Sequence, residues 1–224
     1  KSEYRHKSWH NRVWGAKALV AAGKGAEAIR YAEDSKGLNA PLMAIAAFCE
    51  GVLLDSGFAD EAYARYALEA TSTTTNVATF KALVKKYPHM PRETILRDLI
   101  ASQPGQEGKW FAAAKDAGLF ELAIELANRS PSDPRTLIRA ARDFAVERPE
   151  FALAAGKTAL RGIANGWGYD ITGVDVLDAY AATSAAAGAA GVDEAAVKAE
   201  VRAIIAASRG GEFVERVLGR QLGE

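Results

Sequence analysis

A helix breaker recurs along this chain at a nearly constant interval. The break residues Gly23, Gly57, His89, Gly118 and Arg148 stand 34, 32, 29 and 30 residues apart, and an apolar-periodic stretch flanks each of them. An array of helical hairpins produces such spacing, because each hairpin is one supersecondary unit that buries its apolar face against the next. An unrelated bundle has little reason to keep that period.

The helices follow from the period-3.6 pattern. Trp9 to Ala22 carries Val13, Ala16, Leu19 and Val20 on one face, and Ala26 to Glu33 follows with Gly37 as its C-cap. Pro41 opens a helix reaching Gly57, and Asp60 caps the next, which carries Ala62, Tyr63, Tyr66 and Leu68. The hydroxyl-rich connector Thr71 to Thr75 precedes a pair at Val77–Tyr87 and Glu93–Ala101, and another pair lies at Trp110–Ala117 and Phe120–Asn128. Asp133 and Pro134 form an N-cap and first-turn pair for a helix predicted to run to Arg148-Pro149, followed by Phe151 to Leu160. Residues 1–160 therefore read as about five helix pairs. In residues 161–224, a Gly-rich aromatic loop from Gly162 to Gly173 leads to three helices, Val174–Ala187, Asp193–Ser208 and Glu212–Leu222. These are the atypical capping helices that a terminal repeat needs. Only Ile171 to Val176 has strand character, and it is too short to build a sheet alone.

Composition agrees with helix packed on helix. Hydrophobic residues make up 49% of the 224 residues, and much of that is Ala, the best helix former. Lys and Arg total 28 and so do Asp and Glu. A neutral chain argues against phosphate-driven nucleic-acid binding, which favours a basic excess. No run approaches the roughly 18 apolar residues of a membrane span. The lone Cys49 excludes an internal disulfide, reads as a small buried hydrophobe and fits a reducing compartment, so a cytoplasmic location is expected. The chain begins at Lys1, and the reading is of a processed chain or a piece of a larger protein or complex.

The second helix of each pair carries a family resemblance. Gly23-Lys24-Gly25-Ala26-Glu27-Ala28-Ile29-Arg30-Tyr31 resembles the turn and B helix of the tetratricopeptide repeat. Gly57-Phe58-Ala59-Asp60-Glu61-Ala62 repeats it 34 residues on, Gly118 keeps Ala123 and Ile124, and His89 keeps Glu93 and Ile95. The resemblance covers roughly residues 9–160 and implies an all-α fold, an α-α superhelix or solenoid of hairpins, with Ala28, Ala62 and Ala123 where paired helices cross closely. The A helices lack the family's Trp and Gly-Tyr positions, so half-a-tetratricopeptide, HEAT-like and other helical hairpins stand as alternatives.

The same resemblance supplies a candidate surface, since A-helix positions line the family's concave groove. Carried over by the break residues, that stripe takes His10 and Lys17, then Ala44, Ala47 and Asp55, then Asn76 and Lys86, then Lys115 and Asp116, then Arg135 and Arg142. Lys17, Lys86, Lys115, Arg135, Arg142 and Asn76 make it mostly basic, suited to an acidic peptide or a terminal carboxylate. On that stripe, reversing Lys86 and Arg142 would abolish binding and leave stability nearly unchanged. The plain alternative is that these cations solvate exposed helix faces.

Chemistry-bearing patterns are sparse. His6 and His10 have the i,i+4 spacing of a metal pair with Glu3 nearby, but a zinc site needs three or four convergent ligands, so no metal is assigned. Nucleophile elbow, phosphate loop and dinucleotide fingerprint are all missing, and no cofactor is implied. Glu121, Glu125 and Asp116 read as solvated helix faces. Trp167 and Tyr169 read either as loop anchors for a partner or as a plug against the C-terminal helices, with packing area favouring the plug. Trp110 and Phe111 read as core. The leading function is a non-enzymatic scaffold for a protein or peptide partner. The alternatives are a helical domain of a larger enzyme or complex, with its active site outside this segment, and a helical-repeat nucleic-acid binder.

Overall fold

Breakers and caps set the helix ends. Gly23, Gly57 and Gly118 take φ of 76°, 81° and 79°, the left-handed region where a side chain is strained, and each turns the chain between two helices. At Asp133 the side chain accepts from the Thr136 N–H at 2.9 Å while Pro134 occupies the first helical position. Thr172 and Asp175 form a reciprocal capping box, and Thr75 and Asp193 each accept from a first-turn N–H. The computed structural model describes residues 8–37 and 39–223. The protein is all-helical, 73% helix, with no strand among the described residues.

Two compact units divide at Ser102 and Gln103. The first holds α1 (Trp9–Ala21), α2 (Gly25–Glu33), α3 (Leu42–Asp55), α4 (Ala59–Ala62, a π-helical turn Tyr63–Ala67, then Leu68–Ala70), α5 (Asn76–Lys86) and α6 (Arg92–Ala101). Successive helices pack together from α1 to α4, and α5 packs on α6. Ala28 and Ala62 are fully buried on α2 and α4, with Ile45, Ala46 and Cys49 of α3.

The second unit opens with a 3-10 turn, Glu107–Trp110, leading into α7 (Phe111–Asp116) and α8 (Phe120–Arg129). Then come α9 (Pro134–Asp143), α10 (Pro149–Ala164), α11 (Gly173–Ala189), α12 (Glu194–Ala206) and α13 (Gly211–Leu222). Its centre is α10, which packs on α8, α9, α11, α12 and α13 and buries eleven of its 16 residues. A helix covered on so many sides needs small residues where neighbours come close. A Cβ on Gly156 would stand 2.4 Å from Thr183 Oγ1 and 3.1 Å from Thr183 Cα on α11. The Thr183 hydroxyl is held there by donating to the Ala179 carbonyl at 2.7 Å.

Several elements depart from the sequence pattern. Helix α10 continues through residue 160 to Ala164, because Gly162 gives room to the Trp167 ring, whose Cε3 would lie 3.1 Å from a Cβ there. The helix expected to reach Arg148 stops at Asp143, and Phe144 turns into an aromatic cluster instead. Gly37 caps nothing: α2 closes at Asp34, and the Ser35 hydroxyl donates to the Tyr31 carbonyl. Asp60 lies inside α4, not at its cap, with its Oδ1 3.0 Å from His89 Nε2. Ile171 to Val176 forms no strand, since the capping box starts α11 there.

The crossing at Gly156 is testable. Gly156→Ala removes a helix-weakening residue yet forces a methyl into Thr183, and overpacking of this kind costs about 1–3 kcal/mol. Urea denaturation should show that loss, whereas Gly188→Ala on α11, where a Cβ meets nothing within 4 Å, should be neutral or stabilising.

Candidate functional site

The cations of the inferred stripe have varied settings. In the first unit Lys17 is exposed, with its Nζ 4.9 Å from the Trp14 ring centroid. The Asn76 Nδ2 is buried without a hydrogen-bond partner, so its amide is not presented to a ligand. Lys86 donates to Glu50 Oε2 at 2.9 Å and to Thr71 Oγ1 at 3.0 Å. In the second unit Lys115 pairs with Asp116 at 2.9 Å, and Arg142 is exposed beside Asp143 at 3.3 Å. Arg135 grips Asp175 with two nitrogens at 2.7 and 3.1 Å and donates to the Asp170 carbonyl at 2.8 Å. Lys86 and Arg135 are thus counterions for acids of their own chain, and reversal of Lys86 would face Glu with a buried Glu. The two loop aromatics differ: Trp167 is half-buried against Gly162 of α10, while Tyr169 is 83% exposed. Among the described residues no three His, Cys, Asp or Glu side chains are grouped to hold a metal, and no helix is long and apolar enough to cross a membrane. His10 is exposed, and Glu3 and His6 lie outside the described residues.

The first unit hides a set of phenol–carboxylate bonds. Tyr87 donates to Glu50 Oε1 at 2.5 Å, Tyr66 to Glu33 Oε1 at 2.7 Å and Tyr63 to Asp98 Oδ2 at 2.7 Å. The π-helical turn of α4 carries Tyr63 and Tyr66, whose hydroxyls reach different helices, α6 and α2. Burial first, and the donated hydrogen bond second, push all three phenols well above the ordinary tyrosine range. Burial also pushes the Cys49 thiol up to about 11. Catalytic nucleophiles and bases need the opposite, values drawn toward neutrality. The three phenols stay protonated and donate to the buried Glu50 and the half-buried Glu33 and Asp98, tying helices together.

A different arrangement occupies the second unit. A cleft of about 580 Å³ opens between the start of α8 and the turn leading into α10. Its apolar wall consists of Phe120, Ile124, Pro149, Phe151 and Ala154. Phe120 meets Phe144 and Phe151 edge-on at centroid distances of 5.3 and 4.8 Å, and Phe111 stacks behind Phe151 at 6.2 Å. Such edge-to-face contacts are favourable and pack the rings of the floor against one another. The rim carries Glu121, Glu147 and Glu150, all exposed. Glu121 and Glu150 lie in the first turns of α8 and α10, where the helix dipole favours a negative charge. None of the three has an ion-pair or hydrogen-bond partner among the described residues, whereas Glu33, Glu50, Glu93, Glu125 and Glu200 all do. The one cation of the lining, Arg148, places its guanidinium carbon 4.3 Å from the Phe120 centroid. It covers an aromatic face and pairs with no carboxylate.

The chain matches no family model, no curated protein and no solved structure. The geometry of the site therefore carries the functional argument. The cleft was not found from the sequence, where Glu121 reads as a solvated face. A signal was present nonetheless. Phe120-Glu121 follows the Gly118 break and Glu150-Phe151 follows the Arg148 break at nearly the same offset, which sets two aromatic–acidic pairs at two helix starts.

Two ion pairs give separable outcomes. Lys86→Met leaves Glu50, which is 3% exposed, short of a donor and should cost about 1–3 kcal/mol in urea denaturation. The Asp175 carboxyl is held well below the usual carboxylate range, chiefly by Arg135 and then by the Thr172 N–H and hydroxyl. A depressed folded pKa adds stability above the unfolded value of about 3.9, and that stability is lost as pH falls through the folded value. Asp175→Asn should therefore melt below wild type at neutral pH, with the gap closing below about pH 4.

Proposed function

We propose that this chain is a non-enzymatic interaction scaffold, an array of helical hairpins of the tetratricopeptide-like kind, that receives a protein or peptide partner in the cleft of its second unit. One observation carries this reading: the cleft joins an aromatic floor to three carboxylates without partners among the described residues, while the buried Glu50 is satisfied internally. Binding sites combine a concave apolar wall with a few placed polar groups in this way. Its volume of about 580 Å³ has room for a few side chains of a partner. The hairpin period, the fully buried Ala28, Ala62 and Ala123, and the left-handed glycines between paired helices support the array. Within the basic stripe, Lys86 and Arg135 are engaged by acids of the chain, which leaves Lys17 and Arg142 as its exposed cations.

A site-directed cross-linker tests the reading. Cys49 is fully buried with its thiol pushed up to about 11, so a maleimide will label an introduced surface cysteine selectively. Val146→Cys provides one beside the cleft, because Val146 is 89% exposed and adjoins Glu147. A photoreactive maleimide there should yield discrete protein adducts in a lysate of the source cells, and the same label at Ala203→Cys, an exposed position on α12, should not. Equal adduct patterns at the two positions would refute a partner at the cleft.

A further inference from the structure

We infer that the cleft on α8 and α10 recognises a cationic side chain: its occupant is a partner segment that presents Arg or Lys beside an apolar residue. This rests on the scaffold reading and gives it a sign of charge. Three carboxylates against one guanidinium leave the rim negative, and the carboxylates have no partner among the described residues. A ligand that supplies cations gains charge-assisted hydrogen bonds without first breaking any in the free protein. An acidic ligand would meet like charges and lose affinity for that reason.

The floor makes the same choice. Aromatic faces carry negative potential and attract a guanidinium or ammonium. Phe120 already holds one, since Arg148 lies over it at 4.3 Å. Arg148 thus shows what kind of group this face accepts, and it is exposed, so it is able to swing away or to stack with an incoming group. Ile124, Pro149 and Ala154 beside the ring provide apolar contact for the residue next to the cation, or for the aliphatic stem of Lys or Arg. A purely apolar segment would leave the rim carboxylates facing it unpaired, and a bare small cation would leave the apolar wall uncovered.

The experiment is a selection from a random-peptide display library on the intact chain. Affinities of the enriched peptides are then measured by fluorescence anisotropy at low and moderate salt. Two variants are compared: Glu147→Lys, which reverses a turn charge outside any helix, and the neutral triple Glu121→Gln/Glu147→Gln/Glu150→Gln. Circular dichroism verifies that each is folded. The expected peptides carry Arg or Lys next to an apolar residue, bind more weakly as salt rises, and lose about tenfold in affinity on the triple variant. Enrichment of acidic or uncharged peptides would overturn the inference. Cationic peptides that bind the triple variant as tightly as wild type would place binding elsewhere and overturn the inference together with the cleft as the partner site, whereas acidic or uncharged peptides displaced by a label at Val146→Cys would overturn the inference alone. Failure of any peptide to enrich would sink both. The neutral triple keeps the test valid if Glu147→Lys does not fold.

Discussion

The close approach of α10 and α11 at Gly156 governs the second unit. Without a side chain at that position the two helices meet with Thr183 packed directly on backbone, and the small residues Ala152, Ala155 and Ala159 are buried on the same helix. Protein interiors are packed as densely as organic crystals, so a close contact of this kind constrains how the two helices sit against each other. Five helices take their places from α10. Its first turn, Pro149-Glu150-Phe151, is then fixed against Phe120, and the cleft is the consequence. The candidate site thus depends on packing at mid-helix, within two turns of the α10 residues that line it.

The first unit achieves its order by polar means. Burying Glu50 is unfavourable unless both oxygens are satisfied, and here one takes the Tyr87 phenol and the other the Lys86 ammonium. Tyr66 with Glu33 and Tyr63 with Asp98 repeat the device between other helix pairs. Arg65 joins the Tyr66–Glu33 bond by reaching Glu33 as well as Glu61. Directional bonds of this sort favour one register over alternatives that an Ala-rich surface would otherwise permit, since small apolar side chains offer little steric discrimination.

How far the sequence disclosed this depended on distance along the chain. Local signals were readable: Asp133-Pro134 starts α9, the glycine breaks fall between paired helices, and Ala123 is buried where the hairpin spacing puts it. Long-range contacts were not. Nothing near Lys86 announces that its partner is Glu50, 36 residues earlier on another helix. Nothing near Gly162 announces that Trp167 folds back over it and allows α10 to continue. Arg135 illustrates the same point, because Asp175 lies 40 residues away and the loop carbonyl of Asp170, at φ of 48°, becomes a second acceptor. A charge judged from its own helix face looks free until the fold supplies its partner.

That point bears on the sign of the functional surface. Net charge is zero, so composition favours neither a basic nor an acidic ligand. Charges already neutralised by neighbours contribute little to recognition, because a ligand must first compete for them. The relevant quantity is the charge left over after internal pairing, and its location. Lys86, Arg135 and Lys115 drop out of the positive side by this test, while Glu121, Glu147 and Glu150 remain on the negative side around one concave wall. Along the stripe, subtracting the pairs leaves Lys17 and Arg142 exposed, whereas the carboxylates without partners gather on a different surface, the cleft. Charge without an internal partner is what a ligand meets, since the free energy of an encounter depends on the field a surface presents, and a closed ion pair presents almost none.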